Sequence, residues 1–473
     1  MKNKMWRFLS LALVVLLLFA TVVGCSKPSD EKEPGDVKEP SQNEGENTQE
    51  QEEQEEEEVT LDLGGRPIRL AAWWNLEPQE GVTEAGDRQI AYYKDLEEKY
   101  NFKIEYINIP QGEIVETFTA SNLAGDPFAE LVWLRDNYYM PQVASGGLYP
   151  LSDLDAFDFN EEKWDKTISD FAQWNGKQYG MYPGKVDLRG LIFWNKTLFE
   201  REGLPNLYEL QENMEWNWDK FLEVAKKATK DTDGDGIVDQ YGLTGSVWEW
   251  QLIVSNDADP IANIDGKLKY NLTDPKALEA LQFYQDLNVV HKVFANPPEG
   301  ASWDWHISFF ASGKAAMMAY HQWAAGTLQG SMEDDYGVVA FPMGPRADDY
   351  RCELEEFTFL VMPSNVKNPQ DVAFVYDKMT DPYPGQTEEE KYEAWRDGML
   401  NGLRDEESLK TYEMLYDRNL LRVNRWFSFP EVRDLGWGLM ADILSGAKSP
   451  SVAVEEVAQQ AQTFIDETMG YNK

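Results

Sequence analysis

Three kinds of hydrophobic pattern follow one another along the chain. Phe8 to Val23 is a nearly continuous apolar run behind Lys2, Lys4 and Arg7, the build of a secretory signal, and it is short for a membrane span of about 20 residues. Ser26 to Glu58 is almost free of apolar positions and carries 14 acidic and 3 basic side chains, which predicts a self-repelling, disordered tether. From Val59 onward the spacing switches between periods of two and of 3.6 residues. Ile68 to Trp73 reads as a buried strand, Gln89 to Tyr100 as a helix, Phe102 to Ile107 as a second strand and Leu131 to Leu134 as a third. Asn217 before Trp218 is an expected N-cap, and Ser449-Pro450 places proline at the first position of a helix running from Val452 to Met469. Strands alternating with helices predict an α/β fold with a largely parallel sheet, whose ligands sit beyond the carboxyl ends of the strands.

Composition narrows the function. With 43 Lys+Arg against 84 Asp+Glu the net charge is −41, which excludes a basic face for nucleic acid. The signal segment carries +3 and the tether −11, so −33 belongs to residues 59–473. A length of 473 residues with 42 % hydrophobic positions and 17 Trp predicts two or three domains with a large core, and two cysteines are too few for a disulfide framework.

Val22-Val23-Gly24-Cys25 resembles a bacterial lipobox, which implies cleavage before Cys25 and a lipid on its sulfur. Cys352 then has no partner in the chain and is expected to be a buried packing thiol. Further blocks resemble the extracellular solute-binding proteins of ABC importers, in the sugar-binding cluster that includes the maltodextrin-binding proteins. They are Asp126 to Val132 followed by Ala144 to Leu151, Asn175 to Pro183, Leu191 to Phe199, Phe310 to Met318, and Tyr336 to Pro342. Their order and spacing cover almost the whole mature chain.

The resemblance implies a two-lobed periplasmic-binding-protein-like α/β fold of type II, hinged between lobes, with ligand clamped in the cleft. It divides the chain into a signal (1–24), a lipidated cysteine and tether (25–58), the first lobe (59–185), the second (186–356), a return to the first (357–424) and C-terminal helices of the second (425–473). It implies a monomeric lipoprotein without enzymatic activity, anchored outside the cytoplasm, which binds an oligosaccharide and hands it to ABC permease subunits. A secreted glycoside hydrolase, with two carboxylates flanking the scissile bond, and the binding subunit of a sugar sensor are the alternatives.

Aromatic rings stack on sugar rings while planar polar groups take the hydroxyls. Strand ends therefore nominate Trp73, Trp74, Arg135, Asp136, Asp187, Arg189, Trp248, Trp250, Trp323 and Trp426, with core packing the alternative for each Trp. Trp323 matches best the stacking aromatic that follows the same block in maltodextrin-type proteins. His291, His306 and His321 lack a metal-ligand spacing.

One loop has cation chemistry. Asp231, Asp233, Asp235 and Asp239 occupy positions 1, 3, 5 and 9 of an EF-hand pattern, with Gly236 for the turn and the Ile237 carbonyl at position 7. Position 12 is Gly242 instead of Glu, and the resemblance offers Gln240 as a substitute. The expectation is a structural Ca²⁺, with an exposed acidic turn as the alternative.

Overall fold

Ile68, Leu70, Ala71 and Ala72 are all buried in the first strand, β1 (Arg66–Ala72), so the apolar run that predicted it lies in a sheet covered on both faces. In the computed structural model, which describes residues 61–471 apart from 247 and 401, the strands continue in chain order. They are β2 (Phe102–Asn108), β3 (Leu131–Arg135), the hairpin β4 (Gln173–Trp174) and β5 (Lys177–Gln178), β6 (Leu191–Asn195), β7 (Tyr241–Gly245), and the hairpin β8 (Ile261–Ile264) and β9 (Lys267–Tyr270). After them come β10 (Ala315–Tyr320), β11 (Tyr336–Ala340), β12 (Cys352–Leu354), β13 (Thr358–Val361) and β14 (Leu421–Val423). Cys25, the signal and the tether lie outside the described residues. No helix among the described residues is long and apolar enough to cross a membrane.

Two four-stranded sheets organise the fold. The first has the order β13-β3-β1-β2, with β1 parallel to β2 and β3, and β13 antiparallel to β3. The second has the order β11-β6-β10-β7, with β10 parallel to β7, and β6 antiparallel to β10 and β11. Because β13 joins the first sheet only after the second is complete, the chain must leave and return. It leaves through 183–190 and comes back through 354–358. The two passages start side by side, since Met181 and Leu360 exchange backbone hydrogen bonds of 2.9 and 2.8 Å.

Local chemistry sets the helices. The first spans Glu84–Tyr100, longer than its apolar spacing predicts, because the Thr83 side chain accepts from the Gly86 N–H and starts it earlier. Asn217 caps Trp218–Ala228 as expected, accepting from the Lys220 N–H at 3.1 Å. The helix Glu406–Asp417 packs on β11, where Ser408 Oγ accepts from the Val338 N–H at 2.9 Å and Thr411 Oγ1 donates to the Val338 carbonyl at 3.1 Å. This corrects the expected return of 357–424 to the first lobe: by residue 406 the chain is already on the second sheet. Helices carry no strand alternation, so the pattern did not reveal that passage.

Buried tryptophans correct three more expectations. Trp248 lies among Phe221, Phe294 and Phe341 and donates to the Thr244 carbonyl, while Trp250 and Trp426 pack ring to ring at 4.9 Å. All three are core residues rather than ligand contacts. Cys352 is also fully buried, and burial pushes its thiol up to about 12, so it is protonated packing. Trp426→Ala is expected to lower the unfolding free energy by about 3–5 kcal/mol, the usual cost of emptying a core aromatic site, as measured by urea denaturation.

Candidate functional site

The carboxyl ends of strands from both sheets meet at the passages between them. β3 ends at Arg135, which pairs with Thr358 at the start of β13, and the Asp136 N–H donates to the Phe357 carbonyl at 3.0 Å. Antiparallel pairing thus places Glu355 and Glu356 beside the end of β3. β10 ends at Tyr320, paired with Leu191 at the start of β6, so 188–190 run alongside His321 and Gln322. The Gln322 N–H donates to the Leu188 carbonyl at 2.9 Å, and Gln322 Oε1 accepts from the Leu188 N–H at 3.1 Å.

These segments build one charged array. Arg135 pairs with Glu356 at 3.0 Å. Arg189 Nη1 lies 3.3 Å from His321 Nδ1, and a guanidinium can only donate, so Nδ1 accepts and the ring proton sits on Nε2. That nitrogen, carrying its proton, is 2.8 Å from Glu355 Oε1, close but not aligned for a hydrogen bond. Burial alone would raise the Glu355 carboxyl, but His321, Arg189 and Arg135 outweigh it and hold it below its ordinary value. Glu353 behaves oppositely. Burial, reinforced by the charge of Glu355, raises it well above the carboxylate range, and Asn424 donates to its Oε1 at 2.6 Å. Burial likewise pushes Asp136 up to about 8, against the pull of Arg135, and depresses His306 to about 4.

The array is incompletely satisfied. Both oxygens of Asp136, Oδ1 of Asn137, Nε of Arg189, Nε2 of His306 and Oε2 of Glu353 are buried without a protein hydrogen-bond partner. Such orphans are rare in folded proteins and mark this as an unusual place in the fold. Aromatic rings flank the array from both sheets. Trp73 and Trp74 are 4.9 Å apart after β1, and Trp74, Trp133 and Tyr182 continue the row at 5.6 and 5.4 Å. After β10, Trp323 contacts Tyr320 at 5.1 Å and Trp303 at 6.1 Å. Trp323 is 41 % exposed, enough to offer a ring face.

The structure therefore brings Arg135, Asp136 and Arg189 into the array and places Trp73, Trp74 and Trp323 in its flanking rings. Asp187 is exposed on the passage outside the array, where its charge also bears on Tyr182, Tyr412 and Tyr416. His306, His321, Glu353, Glu355 and Trp303 were missed. The strand-end rule that nominated Trp323 reaches His321 two residues earlier, but the histidines were weighed only as metal ligands.

Elsewhere, the carboxylates of Asp231, Asp233 and Asp235 converge, with one oxygen of each within 4.8 Å of the others. The N–H groups of Gly234 and Gly236 donate to Asp231, orienting it. Asp239 and Gln240 are corrected as ligands. Asp239 accepts from the Thr232 N–H and hydroxyl, and Gln240 is buried, accepting from Arg201 at 2.7 Å and donating to the Ala228 carbonyl at 2.8 Å.

Two α/β lobes joined by passing strands, with strand ends converging on an aromatic and charged array, define a two-lobed solute-binding protein. The chain belongs to the family of bacterial extracellular solute-binding proteins, which it matches over residues 79–379. The family is one of extracellular binding proteins. Solved structures agree on the fold. A cyclo/maltodextrin-binding protein complexed with maltotetraose is 17 % identical over 85 % of this chain and 97 % of its own, with a TM-score of 0.61. UgpB from Mycobacterium tuberculosis, complexed with glycerophosphocholine, is 16 % identical over 85 % and 99 %, with a TM-score of 0.59. An ABC substrate-binding protein from Listeria monocytogenes, complexed with cycloalternan, is 17 % identical over 86 % and 99 %, with a TM-score of 0.58.

The raised Asp136 carboxyl gives a pH test. Above pH 3.8 the unfolded chain releases this proton while the folded one keeps it to about 8, so its contribution to stability is lost as pH rises through that window. Asp136→Asn removes the titration. Its stability relative to the wild type is expected to climb from pH 4 to pH 8 and then level off, in urea titrations of the ligand-free protein.

Proposed function

We propose that the protein captures a neutral oligosaccharide between its lobes and delivers it to an ABC permease. The observation that carries this reading is the pairing of aromatic rows from both sheets, Trp73, Trp74 and Trp133 on one and Trp303 and Trp323 on the other, around buried unpaired donors and acceptors. Rings take the apolar faces of sugars, and the orphaned carboxyl, guanidinium and imidazole atoms take hydroxyls. The negative field of a folded part carrying −33 favours a neutral ligand over an anionic one.

Two further parts belong to this proposal. Cys25 carries a lipid, and the acidic tether holds a monomeric binding unit away from the outer face of the membrane. A structural Ca²⁺ sits on Asp231, Asp233 and Asp235, where it would relieve the repulsion of converging carboxylates, with the Ile237 carbonyl as a further oxygen and water completing the set.

Thermal-shift screening against a glycan panel tests the function. A neutral oligosaccharide at 100 times its Kd is expected to add about 2.7 kcal/mol of stability, and Trp323→Ala to abolish most of that gain while leaving the sugar-free Tm near the wild type. Absence of any glycan response, or turnover of the glycan into products, would contradict the reading. For the cation, EGTA is expected to lower Tm and calcium to restore it, with the response lost in the double variant Asp231→Asn, Asp233→Asn. A Tm indifferent to both would remove the metal.

A further inference from the structure

Trp133 belongs to two surfaces. Its ring continues the Trp73 and Trp74 row, and it also lines a cavity of about 1090 Å³ that contains none of the charged array. Further walls come from Tyr93, Tyr106, the passage Pro183–Lys185, and Tyr392 and Trp395 of the helix Glu388–Leu400. We propose that this cavity is a second sugar subsite, which takes the distal rings of the same oligosaccharide; the inference rests on the sugar-binding reading above.

Four observations support it. The volume lies just above the range for small-molecule pockets, about 300–1,000 Å³, and suits several linked rings better than one. The helix Glu388–Leu400 buries no residue, yet it carries Tyr392 and Trp395 onto the cavity with ring centroids 5.9 Å apart. Trp395 is anchored on one side by the core and the Tyr416 ring at 6.2 Å, while Tyr392 is 45 % exposed and donates its hydroxyl to Glu413, so both present ring surface to the cavity.

Third, the charges around the cavity are mostly spent on one another. Lys163 pairs with Glu161, Asp377 and Asp381 at 3.2, 2.7 and 2.7 Å, and Lys391 pairs with Glu388 at 2.7 Å. Lys185 has no carboxylate partner among the described residues and instead lies over the rings of Trp395 and Tyr416, 4.5 and 5.0 Å from their centroids. Gln89 donates to the Tyr93 oxygen at 3.1 Å, which leaves the Tyr93 proton free to donate. Ring faces, a hydroxyl donor, the Gln386 amide, the Glu162 carboxylate and one ammonium remain, opposite charges that balance and a set suited to a neutral polyhydroxyl ligand.

Fourth, the wall is tied to the first site. Gln322, between His321 and Trp323, donates to Met399 Sδ at 3.1 Å, and Tyr416 donates to the Val186 carbonyl of the passage at 2.6 Å. A ligand held at Trp323 and extending past Trp133 reaches a wall fixed to the same passage.

Calorimetry with two length series, maltose to maltohexaose and cellobiose to cellohexaose, tests the subsite on the wild type, Trp395→Ala, Tyr392→Ala and Trp323→Ala. The wild type is expected to bind one series with affinity that rises beyond the disaccharide. Trp395→Ala and Tyr392→Ala are expected to cost about tenfold at the hexasaccharide, the scale of a ring at a binding hot spot, and nothing at the disaccharide. Their unchanged disaccharide affinity serves as the folding control, and Trp323→Ala should weaken both lengths. Affinity independent of length and of both ring substitutions, with Trp323→Ala still damaging, overturns the subsite and leaves the sugar reading intact. Failure of both series to bind overturns the two together.

Discussion

The desolvation of charge where the chain passes between its two sheets constrains everything else in this protein. Arg189 and Glu355 come from the two passages, His321 from the end of β10 and Arg135 from the end of β3, and none of them faces open water fully. Charges in such a place persist only when paired, because an unpaired buried carboxylate costs several kcal/mol. Glu355 is held below its ordinary value because His321, Arg189 and Arg135 together outweigh its burial, while burial, reinforced by the charge of Glu355, pushes Glu353 beside it the other way. The two lobes are thereby connected by electrostatics as well as by chain, and the register of β13 against β3 fixes where each charge falls.

That arrangement also explains why binding and closure are one event in the proposed function. The orphaned atoms of Asp136 and Asn137 belong to the first sheet's end, and that of His306 to a helix packed on β10 of the second sheet. A ligand whose hydroxyls bridge them gains contacts only when both lobes are near it, and such differential contact is what shifts a hinge toward its closed state. The aromatic rows add apolar area to the same geometry. The acidic surface outside the cleft contributes solubility and, in the proposed function, weighs against anionic ligands without selecting among neutral ones.

Legibility in the sequence followed how local each feature is. The strand at Ile68, the cap at Asn217 and the strand-end residues Arg135, Asp136 and Trp323 are set by neighbours a few positions away, and periodicity or capping chemistry exposes them. Trp248, Trp250 and Trp426 could not be read this way, because standing next to a motif does not tell which face of a helix a ring takes. Asp239 and Gln240 look like ligands until Thr232 and Arg201 compete for their oxygens. The pairing of His321 with Glu355 joins two segments that no short-range pattern connects, and the crossing before residue 406 is made by helices without a distinctive period.

Small-angle X-ray scattering of the folded unit, with and without the glycan that raises Tm most, addresses the clamp most directly. Saturation with the sugar is expected to reduce both the radius of gyration and the maximum dimension as the lobes close. Identical scattering curves, with binding confirmed in the same sample, would contradict a ligand held between moving lobes.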